Sequence, residues 1–534
     1  MGPANLVLTG FMGTGKSTVA RIVAERTGLT LVDTDQEIER AAGQPVPAIF
    51  AERGEAEFRR LEAEVVARVA TGERQVIATG GGVVTQPENI AQLRRAGLVL
   101  SLTASTDLLW ERVGAAGGRP LLAGDRPRER FEELYRSRAP LYAGADVTVD
   151  TTGLSAETVA GAVISHWRLA GAGQVRVDLG ARSYPVYTGA GLLEAVGAAA
   201  AGSAGHGRRV ALITEPRVEG LYAATVRRSL EECGFAVLPL RVPEGEAAKT
   251  LAVVEALYRE AALAGLERDD LVLALGGGAV TDTAGFFAAT FLRGLRLLNV
   301  PTTLLAQVDA AVGGKVGVNL DEGKNLVGAF HQPSGVVVDT GALASLPGRE
   351  VRSGLAEVVK CGVIQDAALF SRLEAWDFPV SEVTAHQDEL TAAVQAAIAV
   401  KAQVVGDDER ESGRRVILNF GHTAAHAVEK AAGFGRVRHG EAVAYGMMVA
   451  ARLAVRLGVA APQVEQRLDQ VLARLELPRR REELPASVAP ADLLGLLGRD
   501  KKVRGGRVRW VLPRTIGEAT VTSEVPESLV RECL

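Results

Sequence analysis

The sequence contains little cysteine and almost no excess of charge of either sign. Its three cysteines, Cys233, Cys361 and Cys533, are widely separated and form no CxxC pair. This excludes a disulfide framework and a thiolate zinc site, and it fits a reducing, cytoplasmic compartment. The formal net charge is −4, from 60 basic and 64 acidic residues. Because nucleic-acid binding needs a broad basic face, no nucleic-acid partner is expected, and anionic small molecules must be bound by local groups of cations.

Long hydrophobic runs are also missing. The longest apolar stretches, such as 442–455, are interrupted by Tyr445, Gly446 and Arg452 and are shorter than the ~20 residues that a membrane span needs. The chain runs from Met1 into a strand-like segment without a basic region or a cleavage site, so no signal peptide is predicted. We therefore expect neither a membrane span nor a secretion signal.

The composition does provide enough apolar residues for several cores. Hydrophobic residues make up 47% of the chain and charged residues 23%, an ordinary balance for a globular protein. Since single cores stop growing at roughly 250–300 residues, a chain of 534 residues predicts two to four domains.

The hydrophobic pattern divides the chain into two α/β segments and a helical segment. Up to about residue 165, apolar runs alternate with segments of helical period, which indicates βαβ units around a parallel sheet. Strands are predicted here at 6–8, 76–78 and 98–102, and helices at 17–26, 55–70 and 129–137. The same alternation of strand-like and helical segments resumes from 175 to about 345. Buried strands are predicted there at 210–213, 271–275 and 297–300. Beyond Gly354 the pattern is almost purely helical, with helices predicted at 389–405, 422–432 and 441–456. We therefore predict domains at 1–168, 175–345 and 346–534, joined by a linker of small residues at 169–174.

A phosphate-binding loop follows the first predicted strand. Residues 10–17 read GFMGTGKS and fit the pattern GxxxxGK[ST] between a strand and a helix. In such a loop the backbone N–H groups of glycines, here Gly13 and Gly15, surround the phosphates of ATP; Lys16 reaches the β and γ phosphates, and Ser17, followed by Thr18, binds Mg²⁺. The first domain is therefore predicted to bind ATP with Mg²⁺.

Acidic and basic residues near this loop are candidates for the rest of the site. Asp33 and Asp35 follow a second strand-like apolar run, which comes after the first predicted helix, and so lie at the sheet edge where ligands bind. Asp33 could hold Mg²⁺ through water and Asp35 could accept a proton from the attacking hydroxyl, or either could be a helix cap. Four arginines are, by themselves, more typical of solvated helix surfaces than of a site: Arg59, Arg112, Arg119 and Arg138.

Together these motifs resemble shikimate kinase over the whole first domain. The series is the 10–17 loop, Asp33-Thr-Asp35, Glu55-Ala-Glu57-Phe58-Arg59, Gly80-Gly81-Gly82, Arg119-Pro120-Leu121 and Arg138. The resemblance implies a P-loop kinase with a parallel sheet that phosphorylates shikimate on its 3-hydroxyl. It implies that Lys16, Asp35 and Arg119 are catalytic, with Arg119 on a lid over ATP and Arg112 near the adenine. Shikimate, whose carboxylate suits a guanidinium partner, would be held by Asp35, Arg59, Gly81, Gly82 and Arg138.

The second α/β segment contains a glycine turn, and the helical segment contains a group of histidines. Residues 276–282, GGGAVTD, directly follow a predicted strand, where the backbone can contact a pyrophosphate, although a tight turn is the alternative. His422, His426 and His439 lie within eighteen residues. The i, i+4 spacing of His422 and His426 alone predicts them as a zinc-ligand pair, completed by a carboxylate such as Glu357. Histidines that cap a helix or form hydrogen bonds are the alternative.

A longer series of motifs resembles 3-dehydroquinate synthase from residue 175 to residue 534. In chain order these are PEGEAAK at 243–249, the 276–282 loop, Arg293-Gly294, Pro301-Thr302-Thr303, Asp309, Gly313-Gly314-Lys315, Gly323-Lys324-Asn325, Glu357-Val-Val-Lys360, NFGHTAAH at 419–426 and His439-Gly440-Glu441. The resemblance implies an α/β dinucleotide-binding domain followed by an all-α metal-binding subdomain, and it suggests a homodimer formed through this half.

The resemblance also implies a role for individual residues. The metal, Zn²⁺ with Co²⁺ as the alternative, would be held by Glu357, His422 and His439, which leaves His426 as a hydrogen-bonding partner. NAD would contact Glu244, Glu246, Lys249, Gly278, Asp282, Thr302, Thr303, Lys315 and Lys324. The substrate, 3-deoxy-arabino-heptulosonate 7-phosphate, would be surrounded by Arg293, Asp309, Lys315, Asn325, Lys360, Lys401, Arg415, Asn419 and Lys501. The Lys501–Lys502 pair leaves open which lysine enters the site.

The implied reaction explains why one pocket needs both NAD and a metal. Oxidation of the C5 hydroxyl to a ketone acidifies the neighbouring C–H, so that phosphate can be eliminated, and the metal polarises the oxygen being oxidised. The same cofactor then reduces the ketone, and the opened ring closes by an intramolecular aldol reaction to 3-dehydroquinate. NAD is therefore expected to be catalytic and not consumed.

Two other functions are weighed against this one. A metal-dependent polyol dehydrogenase would share the architecture, but a neutral polyol does not need the lysines and arginines of the second site. One half could instead be an inactive nucleotide-binding module, but the phosphate loop and its neighbouring aspartates are intact.

Overall fold

Two units, each built around a largely parallel sheet, make up the computed structural model. It describes residues 5–114, 122, 125–204, 207–433, 435–497, 503–504 and 507–534. Unit 1 comprises Met1–Ala172 with the segments Glu194–Gly202 and Thr225–Phe235. Unit 2 comprises Gly173–Leu193, Ser203–Ala224 and Ala236–Leu534.

The sheet of unit 1 has five parallel strands in the order β2-β3-β1-β4-β5. Every residue of the central strand β1 is buried, as expected for a parallel sheet with helices on both faces. The order also brings the carboxyl ends of β1, β2 and β3 to one edge. The strands are β1 (Asn5–Gly10), β2 (Thr30–Asp33), β3 (Gln75–Ala78), β4 (Gly97–Thr103) and β5 (Val147–Asp150).

Helices cover this sheet. One of them, α3, contains a kink at Gly54, whose φ is 77°. Helix α7 is the last helix before residue 172. Two further helices, α8 and α10, belong to the additional segments of unit 1. The helices are α1 (Lys16–Thr27), α2 (Thr34–Ala42), α3 (Val46–Val69), α4 (Pro87–Ala96), α5 (Thr106–Gly114), α6 (Pro127–Ala143), α7 (Ala156–Ala170), α8 (Val196–Ser203) and α10 (Ala224–Glu232).

The sheet of unit 2 has seven strands in the order β6-β7-β14-β11-β10-β8-β9. All neighbouring strands are parallel except β6 and β7, and β12 pairs with β13 in a separate hairpin. The strands are β6 (Gly173–Val177), β7 (Tyr184–Gly189), β8 (Arg209–Thr214), β9 (Ala236–Arg241), β10 (Leu271–Gly276), β11 (Arg296–Pro301), β12 (Lys315–Leu320), β13 (Gly323–Phe330) and β14 (Gly335–Asp339).

The second half of unit 2 is mainly helical, as the sequence predicts. Its helices surround α17, in which most residues are buried. The helices of unit 2 are α9 (Pro216–Val218), α11 (Leu251–Leu263), α12 (Gly278–Thr290), α13 (Gly348–Ile364), α14 (Ala367–Glu374), α15 (Gln387–Asp407), α16 (His422–Ala432), α17 (His439–Arg456), α18 (Pro462–Arg474), α19 (Pro490–Leu497) and α20 (Glu527–Cys533).

This helical region also contains short strands that the sequence pattern did not reveal. They are β15 (Val503–Arg504), β16 (Arg507–Val508), β17 (Trp510–Thr515) and β18 (Glu518–Thr522). Trp510, Val511 and Leu512 pack into the same core as the helices, so the β17–β18 hairpin is an integral part of it. A strand of six residues is too short to stand out from the surrounding helical pattern.

The predicted elements are otherwise confirmed. Each of the six predicted strands lies within an observed strand, and the helix predicted at 422–432 coincides with α16. The predicted helix at 55–70 is the second part of the kinked α3. In the described part of the chain, no helix combines the length and the apolar character needed to cross a bilayer.

Candidate active sites

The phosphate-binding loop connects β1 to α1. Gly10, Gly13 and Gly15 have φ values of 146°, 85° and 86°, a region that only glycine adopts without strain. A Cβ on Gly10 would lie 2.4 Å from the carbonyl oxygen of Leu102, so this position cannot hold a larger residue. The Nζ of Lys16 donates to the carbonyls of Gly10 and Phe11, at 2.8 and 3.0 Å. The lysine therefore lies over the loop, within reach of any phosphate bound there.

Asp33 connects this loop to the next helix. Its Oδ2 accepts a hydrogen bond from the Oγ of Ser17 at 2.9 Å, while its Oδ1 accepts from the backbone N–H groups of Asp35 and Gln36 at 3.0 and 3.4 Å. The helix-cap alternative for Asp33 is therefore confirmed. Its other carboxylate oxygen faces Ser17, so its role at Mg²⁺ stays a prediction. Thr18 is exposed in the first turn of α1, and Arg112 donates to the carbonyl of Gly13 at 3.3 Å.

The residues predicted to bind shikimate converge beside this loop. A Cβ on Gly82 would lie 2.2 Å from Nη1 of Arg59, and one on Gly80 would lie 2.5 Å from Oδ1 of Asp35. Arg138, which is 7% exposed, donates to the carbonyl of Gly81 at 3.4 Å. The structure thus brings Asp35, Arg59, Gly81, Gly82 and Arg138 together.

Two further residues of this pocket were missed by the sequence analysis. Glu62 is completely buried and accepts a hydrogen bond from Nη1 of Arg59 at 2.6 Å. The hydroxyl of Tyr142 donates to the carbonyl of Gly81. Helical spacing could have revealed both, because Glu62 is three residues after Arg59 and Tyr142 is four residues after Arg138.

Burial changes the acid–base properties of this pocket. Desolvation, together with the neighbouring charge of Asp33, raises the pKa of Asp35 above its usual range, although Lys16 and Arg59 oppose the shift. Burial likewise raises the pKa of Glu62 against the opposing charge of Arg59. Asp35 is therefore a stronger base than an exposed aspartate, which suits a group that accepts a proton.

In unit 2, three helices place Glu357, His422 and His439 around one point. One ligand atom from each lies within 4.8 Å of the others, and His426 is outside this group among the residues searched in the described chain. Oε1 of Glu357 is 3.7 Å from Nε2 of His422 and 3.5 Å from Nε2 of His439. His422 and His439 are the first residues of α16 and α17. The structure therefore assembles the set that the family resemblance implied, and not the i, i+4 pair that spacing alone favoured.

The outer nitrogens of both histidines face hydrogen-bond acceptors. Nδ1 of His422 is 3.1 Å from the carbonyl oxygen of Phe420, and Nδ1 of His439 is 3.4 Å from Oε1 of Glu429. Acceptors at Nδ1 favour the tautomer that carries its proton on Nδ1 and its lone pair on Nε2, the nitrogen that faces Glu357. Glu429 was missed by the sequence analysis, although its position seven residues after His422 places it on the same face of α16.

This group fits a divalent metal. Two imidazoles and a carboxylate are the donors of a site with an open position. Neither carboxylate oxygen of Glu357 has a well-aligned hydrogen-bond donor in the described part of the chain, although the carboxylate forms an ion pair with Lys360. Burial favours the protonated form of Glu357, but the positive charge of Lys360 and the proximity of the two histidines outweigh it and lower the pKa of Glu357 to about 2. The carboxylate is therefore ionised and available as a ligand.

A group of buried cations lies near this point. Lys360, Lys401 and Arg415 are 2%, 6% and 3% exposed. Lys401 pairs with Asp309 at 2.5 Å, and Arg415 donates to the carbonyl of Gly313 at 3.0 Å. Asp309 and Glu357 pair with two of these cations. The ammonium and guanidinium groups are also the donors that bind phosphate and carboxylate groups, so the group is suited to an anionic substrate.

Glu411 connects two of the predicted substrate residues and was not predicted itself. Its carboxylate pairs with Lys315 and accepts a hydrogen bond from Nδ2 of Asn419 at 2.7 Å. Its φ is 58°, and Arg293 and Asn325 have φ values of 70° and 54°. Left-handed backbone is uncommon for residues other than glycine and is concentrated at functional sites, so this strain is consistent with the predicted roles of Arg293 and Asn325.

The residues predicted to bind NAD lie at the carboxyl edge of the seven-stranded sheet. Gly278 begins α12 directly after β10, and the backbone N–H of Thr302 donates to the carbonyl of Gly276 at 3.0 Å. A Cβ on Gly277 would lie 3.1 Å from Cγ2 of Thr303. These residues form the strand–turn–helix edge at which dinucleotides bind.

Further candidate NAD residues form a polar network beside this edge. The Nζ of Lys249 lies 2.5 Å from Oδ2 of Asp282 and 2.5 Å from Oδ1 of Asn325. Glu246 accepts a hydrogen bond from Asn319 at 2.7 Å and lies 3.7 Å from the Nζ of Lys324. Glu244 is exposed.

Two predicted site residues, Arg119 and Lys501, and the neighbouring Lys502 lie outside the described residues. His426 lies beside the metal group, with its ring 5.8 Å from that of His422 in an edge-to-face arrangement.

Comparison with known proteins identifies both units. The shikimate kinase family model matches residues 12–168, and the models for the N-terminal and C-terminal parts of 3-dehydroquinate synthase match residues 239–353 and 354–503. The 3-dehydroquinate synthase of Symbiobacterium thermophilum is 47% identical over 357 residues, which cover 66% of this chain and 98% of that protein. That of Geobacter metallireducens is 48% identical over 341 residues, which cover 64% and 93%.

A solved structure related to unit 2 has the same fold at lower identity. It is 2-epi-5-epi-valiolone synthase from Streptomyces hygroscopicus subsp. jinggangensis, with NAD⁺ and Zn²⁺ bound. Its sequence is 29% identical and its TM-score is 0.59. The match covers 67% of this chain and 97% of that one.

The fold and the two sites define a P-loop kinase followed by an α/β dinucleotide-binding enzyme with a helical metal-binding part. The chain belongs to the 3-dehydroquinate synthase family and carries a shikimate kinase domain ahead of the synthase. It is a bifunctional enzyme of the shikimate pathway, and the predicted fusion is confirmed.

Proposed function

We propose that unit 1 transfers the γ-phosphate of ATP to the 3-hydroxyl of shikimate. Lys16 and the glycine loop hold the phosphates, and Ser17 and Asp33 hold Mg²⁺. Asp35 accepts the proton of the attacking hydroxyl, and Arg59 and Arg138 bind the carboxylate of shikimate. The convergence of Asp35, Arg59 and Arg138 on the glycine turn after β3 carries this proposal. The resemblance to shikimate kinase assigns Arg119 to ATP binding.

Unit 2 converts 3-deoxy-arabino-heptulosonate 7-phosphate to 3-dehydroquinate and releases phosphate. Glu357, His422 and His439 hold the metal, Zn²⁺ or Co²⁺, and the carboxyl edge of β10 and β11 holds NAD. When bound, NAD supplies reversible oxidation of the C5 hydroxyl and the metal polarises the reacting oxygen. The group of Glu357, His422 and His439, within 4.8 Å, carries this proposal.

The side chains of unit 2 bind and orient this substrate. Lys360, Lys401 and Arg415 supply buried positive charge for its phosphate and carboxylate. Arg293, Asn325 and Asn419 bind its remaining polar groups, with Lys315 shared between substrate and cofactor. Asp309 holds the ammonium group of Lys401 in place, and His426 is a hydrogen-bonding partner beside the metal group. We assign these roles to the domains predicted at 1–168, 175–345 and 346–534, in a cytoplasmic homodimer formed through the synthase half.

The test is an assay of the full chain for both activities. The expected results are ADP release that depends on shikimate, and phosphate release from 3-deoxy-arabino-heptulosonate 7-phosphate without net formation of NADH. A chelator that removes zinc, added with excess Mg²⁺, should abolish only the second activity. Accumulation of NADH would instead indicate a polyol dehydrogenase, and absence of ADP release would indicate that unit 1 is an inactive nucleotide-binding module.

A further inference from the structure

Helix α7 in unit 1 is buried on every side. Residues 159–165 are all buried, which corresponds to about two turns of helix. A helix that is buried all round must have partners on both faces. One face packs on the sheet, because five of these residues share a core with the strands: Val159, Ala160, Ala162, Val163 and Ile164. The two buried residues outside that core are Gly161 and Ser165.

Gly161 and Ser165 form the second face of α7, since they are spaced i, i+4. The Oγ of Ser165 accepts a hydrogen bond from the N–H of Ala198 at 3.0 Å and lies 3.4 Å from the Oγ of Ser229. A Cβ on Gly161 would lie 1.9 Å from Cδ of Glu232. This face therefore contacts α8 and α10, the two helices that the later segments of the chain contribute to unit 1.

Helices α8 and α10 are joined to each other by a buried polar network. The Oγ of Ser229 accepts a hydrogen bond from the N–H of Gly197 at 3.0 Å and donates to the carbonyl of Glu194 at 2.8 Å. A Cβ on Gly197 would lie 2.0 Å from the carbonyl oxygen of Ser229. Because buried hydroxyls are stable only when their partners are in place, this network specifies how the two helices pack.

Apolar and charged contacts surround these hydroxyls. Cys233 packs against the apolar core of unit 1. Arg26 pairs with Glu232 at 3.1 Å and Arg168 pairs with Glu194 at 2.8 Å. Ion pairs that are partly open to solvent contribute little to the stability of a packing contact. The buried contacts of Gly161, Ser165 and Ser229 therefore contribute most of the stability of this one.

We propose that α8 and α10 are an integral part of the kinase unit, and that they hold the first 171 residues to the rest of the chain even when the connection after α7 is cut. Both helices lie outside the residues that match shikimate kinase, 12–168, and outside those that match the first part of the synthase, 239–353. The contact therefore joins Gly161 and Ser165, which lie within the shikimate kinase match, to two helices that neither of these family models covers. Unit 1 therefore includes chain from both sides of a cut after Gly171, and its own internal contacts keep the two fragments together.

The test uses the full chain with a specific protease site inserted between Gly171 and Ala172. After cleavage the two fragments should elute together in gel filtration at micromolar concentration and retain kinase activity. In Gly161→Leu, the added side chain would collide with Glu232, and the cleaved fragments should elute separately. The matched control is Gly202→Leu, because a Cβ at Gly202 on α8 has no atom within 4 Å; its fragments should stay together.

Glu232→Arg provides a second variant in case Gly161→Leu does not fold. It places a positive charge beside Arg26 at a side chain that is 17% exposed, and its cleaved fragments should also separate. Thermal unfolding of each uncut chain shows that it is folded before cleavage. Separation of the cleaved parent chain would overturn the proposal, and so would co-elution of cleaved Gly161→Leu and Glu232→Arg.

Discussion

Asp33 accepts a hydrogen bond from Ser17 through one carboxylate oxygen, at 2.9 Å, and caps α2 through the other. The residue therefore connects the phosphate loop of β1 with the helix that carries Asp35. A change at Asp33 should affect both the metal ion and the position of the base.

The first prediction concerns this double role. Asp33→Asn keeps an oxygen for the cap but loses the charge that attracts Mg²⁺. We expect the Mg²⁺ concentration for half-maximal kinase activity to rise roughly tenfold. The free energy of unfolding should change by only about 0.5 kcal/mol, since Asn caps a helix as well as Asp does. Asp33→Ala should also lose about 1 kcal/mol of stability. A Mg²⁺ dependence of Asp33→Asn equal to that of the parent would contradict the assignment.

The second prediction concerns Asp35 and pH. Folding raises the pKa of this carboxyl. At pH values above the raised pKa, the ionised carboxyl therefore destabilises the folded state. This destabilisation is lost as the pH falls below the ordinary pKa of an aspartate, about 4. Asp35→Asn should therefore raise the melting temperature of the kinase unit at pH 7 but not below about pH 4. It should also lower kcat by roughly 10²–10⁴-fold, the usual contribution of a general base. A variant that retains full kcat would show that Asp35 is not the base.

The third prediction concerns the glycine turn after β3. In Gly82→Ala the new methyl group would collide with the guanidinium of Arg59 and move it from the shikimate carboxylate. A hydrogen bond to a charged group contributes about 1.5–3 kcal/mol, so KM for shikimate should rise about 10- to 100-fold while KM for ATP is unchanged. Gly202→Ala, at an open helical position, is the control. Equal effects on both KM values would indicate a general disturbance of the fold.

The fourth prediction concerns Glu429. Its contact with Nδ1 of His439 orients that ring, and loss of such a partner typically weakens metal binding 10- to 100-fold. Glu429→Leu should show this loss in a competition with a chromogenic chelator, while Glu429→Gln, which keeps an acceptor oxygen, should lose less. Glu389→Gln, an exposed carboxylate on α15, should bind metal like the parent. Unchanged affinity in Glu429→Leu would rule out the positioning role.

Much of this architecture could be predicted because local signals agree with the fold. The phosphate loop has a fixed spacing between a strand and a helix, and the strands of both sheets are apolar runs bounded by turns. The ligand set of Glu357, His422 and His439 could not be derived from spacing, because three different helices, α13, α16 and α17, bring these side chains together. The i, i+4 rule describes one helix only, and it pointed to His426.

Other parts of the sites depend on tertiary contacts that leave no pattern in the chain. Glu411 is an ordinary acidic residue in the sequence, and only folding shows that it pairs with Lys315. The contact of α7 with α8 and α10 is similar, because Gly161 and Ser165 look like small residues of an ordinary helix. The β17–β18 hairpin was missed for another reason, as its strands are short and lie among helices.

The central claim is that one chain carries two separate active sites, and two point variants of the full chain test it most directly. Lys16→Met should remove shikimate-dependent ADP release and leave phosphate release from 3-deoxy-arabino-heptulosonate 7-phosphate unchanged. Glu357→Gln should do the reverse. Loss of both activities in either variant, with the chain still folded by circular dichroism, would contradict the claim.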